Sequence, residues 1–453
     1  MRGRATIAVA VTLVAVSVAA AAISGALFHA PGSPGSRAGG PANPIGREQA
    51  IQPAPGRPQL AELERLIRAF TDQTSVTPTE TGLAFLGRLE LERARLTGDV
   101  DGYTRATRAL TRAYRIAPND AEVGTTLAGA RFTIHDFVGA LQLADAIYAA
   151  TGRPGALVVR GDAELELGRY DAATADYRQL AALVPGTSGT QVRQARLAFL
   201  TGHLDEAERL ALAAESDARQ EGAFGATLAW YAAFRGRLAL DAGRYDEAAR
   251  RYARAVRLAP DYHLAVAGLA QATAAQGHLG DAIALYRRAI RLVPEPTYMA
   301  ALGDLEMLAG DTDRATTHYG TVEAIATLAR SRGLYDRQLA VFFADHDTRL
   351  ADALGIMETS ITTRGDVYGY DALGWTLYRL NRLADARTAS DRALALGTPD
   401  ARLWFHAGMI SAALGDDARA RAELSRALAI SPNFDLLLAP VARDTLAGLE
   451  GGS

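Results

Sequence analysis

The sequence predicts an all-α fold: a right-handed α-solenoid of about ten helical hairpins, closed by a C-terminal capping helix. Three observations predict it. At 453 residues the chain is too long for one compact core, which calls for several domains or a repeat array. The composition, 49% hydrophobic but only 7% aromatic and rich in Ala, Leu and Arg, suits helices packed through small side chains. From about residue 85 onward, the same residue types return with a period of about 34 residues.

The clearest copies are adjacent. Gly236, Gly243, Ala248, Tyr252, Ala255 and Pro260 stand 7, 5, 4, 3 and 5 residues apart, and Ala270, Gly277, Ala282, Tyr286, Ala289 and Pro294 repeat the spacing. Further copies keep Gly161, Gly168, Ala173, Tyr177 and Pro185; Gly303, Gly310, Ala315 and Tyr319; Gly374, Ala386 and Ala393; and Gly408, Gly415, Ala420, Leu424, Ala427 and Pro432. Each position has a physical task. Small residues on facing helices let two backbones approach, and the aromatic fills the space beside them. The glycine between helices takes turn angles that other residues avoid, and proline stops the second helix.

This pattern resembles the tetratricopeptide repeat, and the resemblance covers about three quarters of the chain. It implies stacked hairpins with a concave groove lined mostly by their first helices, and a role in binding other proteins. The units start near residues 87, 121, 154, 188, 229, 263, 296, 332, 367 and 401. The array therefore runs over 87–434, preceded by a helical lead-in at 59–86 and followed by a capping helix and tail at 435–453. Two places depart from the pattern. Extra residues lie around Glu221 to Gly225, and the unit from Arg332 to Asp366 lacks both the first-helix glycine and the final proline.

The N-terminus is of another kind. Ala5 to Phe28 carries no charge, and its length of about 24 residues suffices for a hydrocarbon core. Residues 1–28 are expected to be a transmembrane anchor or a cleavable signal. Arg2 and Arg4 precede the apolar run and the next basic residue is Arg37, so the N-terminus is expected in the cytoplasm and the repeats on the other side. Cleavage would leave the protein secreted or periplasmic. Residues 29–58, with Pro31, Pro34, Pro41, Pro44, Pro53 and Pro55, are expected to form a disordered tether.

Little in the sequence announces chemistry. The net charge is −3 with both signs interspersed, which argues against nucleic acid as a partner. There is no cysteine, hence no disulfide, thiolate nucleophile or Cys-ligated metal. No nucleophile elbow, zinc-helix or phosphate-loop motif occurs, so neither enzymatic activity nor a cofactor is expected. Asp345, His346 and Asp347, with Asp336 and Asp352 nearby, form one acidic cluster. The register puts it at a turn, where aspartate is expected to cap the second helix rather than bind metal.

The register also gives a candidate groove. In the unit beginning at Val367 the inward positions are Tyr368, Asp371, Trp375, Tyr378 and Arg379; in the next they are Arg402, Phe405 and Met409. Tyr, Trp, Phe, Met and Arg are enriched in binding hot spots. The alternative for Trp375 and Phe405 is packing between hairpins. Phe342, Phe343 and Trp230 are weaker candidates. The expected function is a membrane-tethered or exported, non-catalytic scaffold for a partner protein or peptide, with self-association through exposed hairpin faces as a further expectation. A cell-envelope solute- or glycan-binding module is the alternative.

Overall fold

The computed structural model describes residues 57–97, 99–329 and 336–451. The apolar N-terminal stretch and all but the last two residues of the Pro/Gly-rich segment lie outside them. Among the described residues no helix is long and apolar enough to cross a membrane.

Every regular element among the described residues is an α-helix. Helix α1 (Arg57–Val76) leads into ten hairpins. The first three are α2 (Glu80–Thr97) with α3 (Val100–Ile116), α4 (Ala121–Thr133) with α5 (Phe137–Thr151), and α6 (Pro154–Glu166) with α7 (Tyr170–Leu183). Then come α8 (Ser188–Leu200) with α9 (Leu204–Gln220), α10 (Gly225–Asp241) with α11 (Tyr245–Leu258), and α12 (His263–Ala275) with α13 (Leu279–Leu292). The last four are α14 (Pro296–Leu308) with α15 (Thr312–Ala329), α16 (Asp336–Asp345) with α17 (Leu350–Ser360), α18 (Val367–Arg379) with α19 (Leu383–Ala393), and α20 (Ala401–Ala413) with α21 (Asp417–Ile430). Helix α22 (Leu438–Gly451) packs on α20 and α21 and covers the end of the array.

The hairpins close as the typed positions demand. A Cβ added at Gly161, Gly236 or Gly303 would stand 2.9, 3.1 or 2.6 Å from the ring of Tyr177, Tyr252 or Tyr319 on the facing helix, and at Gly408 it would meet Leu424 at 2.6 Å. Glycine there permits an approach that alanine would crowd. Asp120, Asp366 and Asp416 accept backbone N–H groups at the starts of α4, α18 and α21. The register slips in two places. The first hairpin begins at Glu80, not near 87, because α2 and α3 run to 18 and 17 residues. The extra residues around Glu221 are absorbed by lengthening α9 and α10 to 17 residues each.

Neighbouring first helices touch one another: α4 with α6, α10 with α12, α14 with α16, α16 with α18 and α18 with α20. Among the described residues no pair of successive second helices makes contact as extensive. The first helices therefore line the inside of the curve.

The curve comes round on itself. The turn of the third hairpin meets the link between the eighth and ninth: the Val367 N–H donates to Tyr170 Oη at 2.8 Å, and Glu166 pairs with Arg364 at 2.7 Å. One hairpin further on, Thr398 Oγ1 donates to the Leu200 carbonyl at 2.6 Å. One further again, the Asn433 N–H donates to Tyr245 Oη at 2.7 Å, and Asn433 Nδ2 reaches the Ala275 carbonyl at 3.0 Å. Leu165, Tyr177, Leu200, Val367 and Leu403 share one apolar cluster across this seam. These partners lie 158 to 198 residues apart. Successive superhelical turns thus stack edge to edge, turns of earlier hairpins upon links of later ones.

The link before α14 buries a carboxyl. Glu295 is 6% exposed, its Oε1 has no hydrogen-bond partner, and burial pushes its pKa up to about 7. The fold thus holds a proton between about pH 4.3, where the unfolded chain releases it, and pH 7. Stability from this group is present at low pH and falls as pH rises through that window. Glu295→Gln is therefore expected to stabilise the protein by about 3–4 kcal/mol at pH 8 and to change little at pH 5. Urea unfolding at the two pH values measures the difference.

Candidate protein-binding surface

The eight inward positions do not share one environment. Trp375 is 2% exposed, Phe405 0% and Asp371 7%, so the expectation that they face an open groove is corrected. Trp375 lies between Phe405, at 5.7 Å between ring centroids, and His406, stacked at 4.2 Å, while His406 Nδ1 bonds Asp371 at 2.9 Å. These residues join the ninth hairpin to the tenth. Met409 is half-buried, and Thr445 of α22 bonds its Sδ.

Asp345 explains much of this burial. It accepts from Trp375 Nε1 at 2.8 Å and pairs with Arg402 at 2.7 Å, and Arg402 also pairs with Asp435. Three hairpins thus meet at the Asp345 carboxylate, and Arg402 carries the link on to the segment leading to the cap. The capping role expected for Asp345 to Asp347 is corrected: α17 starts after Arg349, whose side chain makes no cap bond. His346 instead bonds Asp304, which also accepts from Tyr319 at 2.8 Å, and Asp347 pairs with Arg379. The cluster points in three directions. Among the described residues no group of three His, Cys, Asp or Glu is placed to hold a metal ion.

Tyr368 is half-buried against the seam cluster of Leu165, Tyr177 and Leu200, with the Arg337 guanidinium 5.5 Å from its ring. Burial raises its pKa well above the usual tyrosine value, and the charges of Asp400 and Asp241 add to the effect. Asp241, on α10, is itself pushed up to about 6 by burial, against the pull of Arg237, with Asp400 contributing again. Arg237 pairs with Asp241 at 2.6 Å yet keeps 52% of its side chain exposed. The fifth, ninth and tenth hairpins each contribute to this set of groups.

Tyr378 and Arg379 remain. Both are half-buried at the end of α18. Tyr378 stacks on the buried Trp375 ring at 4.8 Å and 13°, the Arg379 guanidinium lies 5.8 Å from the same ring, and Asp347 holds Arg379 at 3.2 Å. The arrangement offers an aromatic face and a guanidinium with little rotamer freedom left to lose. The pair is among the inward positions named from the sequence register. The sequence reading gave Asp345 only a capping role and did not single out Glu166, Tyr170, Tyr245, Thr398 or Asn433.

One family model and several solved structures are similar to this chain. The family model described as "Tetratricopeptide repeat" matches residues 158–223, 235–296, 274–319 and 372–433. No curated protein matches the sequence. Among similar solved structures, a thermophilic tetratricopeptide-repeat protein of Thermus thermophilus is 21% identical, over 43% of this chain and 99% of that one, with a TM-score of 0.38. The human IFIT1 dimer with PPP-AAAA is 14% identical, over 82% of this chain and 85% of that one, with a TM-score of 0.45. The Cut9–Hcn1 hetero-tetramer of the APC/C gives 15% identity, 86% and 94% coverage, and a TM-score of 0.33. The fold is an all-α solenoid of tetratricopeptide repeats.

Proposed function

We propose that this tetratricopeptide-repeat solenoid is a non-catalytic scaffold that holds a partner protein or peptide against its concave wall. The observation that carries the proposal is the preorganised pair Tyr378 and Arg379, stacked over buried Trp375. The uncharged run Ala5 to Phe28 would tether the scaffold to a membrane with the repeats on the non-cytoplasmic side, or direct its export if cleaved. Tethering would raise the partner's effective concentration near the membrane.

The polar groups of the inner wall support binding over catalysis. Asp371 with His406, Asp345 with Arg402, and Asp304 with His346 bond one another across hairpins, and Asp304 also holds Tyr319 within its own hairpin. The sugar-binding alternative would need exposed tryptophan, but Trp375 is buried, and Trp230 and Trp404 are half-buried, with Trp404 Nε1 bonded to the Thr398 carbonyl.

The test is a cross-linking capture from membranes with full-length protein, comparing wild type with Tyr378→Ala/Arg379→Ala. A hot-spot pair costs about 2 kcal/mol or more on truncation, so a partner bound here should fall about thirtyfold or more in affinity. A partner captured equally by both proteins would remove this surface as the binding site.

A further inference from the structure

The seam between superhelical turns uses two edges of the solenoid: the turns inside hairpins and the links between them. The same kind of edge is left uncovered at each end of the coil. On the covered part, the turn glycines Gly168, Gly202 and Gly243 lie against the carbonyls of Gly365, Gly397 and Ile430. Gly310 and Gly415, the turn glycines of the seventh and tenth hairpins, have nothing near the position of a Cβ. The link glycines Gly186 and Gly222, of the third to fifth hairpins, are equally open.

The apolar residues follow the same division. Leu200, two residues before Gly202, is 5% exposed, whereas Leu308, two before Gly310, is 42% exposed. Leu240, three before Gly243, is 5% exposed, whereas Met307, three before Gly310, is 38% exposed. Leu414 beside Gly415 is 43% exposed. On the uncovered links, Leu183 and Phe224 are each 48% exposed, whereas Val367 and Leu403 on the covered side are both 2% exposed. An open turn edge and an open link edge thus belong to one molecule, and the molecule already joins such edges to each other.

We propose that a second copy of this chain docks here, its third-to-fifth-hairpin links seated on the seventh-to-tenth-hairpin turns of the first. The contact continues the internal seam from one molecule into the next. It is head to tail, with different surfaces on the two copies, so it does not close by two-fold symmetry and each pair keeps a free edge at both ends. On the ninth hairpin this edge runs past Tyr378 and Arg379, three and two residues before Asn381, so a docked copy would adjoin the partner surface there.

The test uses full-length protein in mild detergent, with mass measured by sedimentation velocity across a concentration series. Wild type is expected to pass from monomer to dimer and larger species. Leu308→Asp/Leu414→Asp removes the turn edge, and Leu183→Asp/Phe224→Asp the link edge. Each variant alone should stay monomeric, and an equimolar mixture should regain a dimer, since each variant supplies the edge the other lacks. All four residues are exposed, so circular dichroism should show both variants folded. A monomeric wild type would overturn the proposal. So would association that survives either edge change, as contact through the N-terminal segment would, or a mixture that stays monomeric, as two identical surfaces would give.

Discussion

Gly168→Ala should open the superhelix. At φ +73 a Cβ is already strained, at a cost of about 1–3 kcal/mol for a residue other than glycine. The added atom would also stand 2.1 Å from the carbonyl oxygen of Gly365, and neither backbone can rotate out of the way as a side chain could. The third hairpin must therefore draw back from the link before α18, breaking the bond from Val367 N–H to Tyr170 Oη and exposing the apolar cluster around Leu165 and Leu403. Gly277→Ala is the matched control: its φ is +87, but nothing lies near the added atom. The control should lose only the strain energy and keep its shape. Gly168→Ala should lose about 2 kcal/mol more in urea unfolding and show a larger radius of gyration by small-angle scattering. Equal losses with an unchanged radius in both variants would mean that the seam contributes nothing to compactness.

What the sequence reveals of this molecule follows from what repeats in it. The contact of Gly161 with Tyr177 recurs as Gly236 with Tyr252 and Gly303 with Tyr319, so a period brings it out without any structure. The seam leaves a fainter signal. Tyr170 and Tyr245, nine residues after Gly161 and Gly236, each accept a link N–H, while the Thr398 hydroxyl and the Asn433 amide are used once each, at separations of 158 to 198 residues. Two copies of a tyrosine are too few for a period to bring out. The inward register of α18 and α20 was legible, but not which inward residues would be buried. Trp375 and Phe405 are enclosed because Asp345 gathers Trp375 and Arg402, and because Phe434, in the segment leading to α22, packs on Phe405. Nothing local to Asp345 distinguishes that role from a helix cap.

Glu166→Gln should be more damaging than any surface charge change on the solenoid. The Glu166 side chain is 5% exposed and is shared between Arg196, at 2.5 Å on the neighbouring hairpin, and Arg364, at 2.7 Å across the seam. Burial alone would raise its pKa, but Arg364, Arg196 and Arg337 together outweigh burial and hold it well below the usual carboxylate range. With its folded pKa depressed, the group contributes stability that is present above the unfolded value of about 4.3 and is lost only as pH falls through the folded value. The lock therefore persists in mild acid. A neutral amide leaves two largely buried guanidiniums facing each other with no anion between them, and breaking a buried pair from one side costs about 3–5 kcal/mol. Urea unfolding at pH 7 should show that loss. Arg364→Met, which removes one of the two cations on the Glu166→Gln background, should recover part of it, because the variant's main defect is the uncompensated charge. If the double variant is no more stable than Glu166→Gln alone, like-charge repulsion at the seam is not the cause.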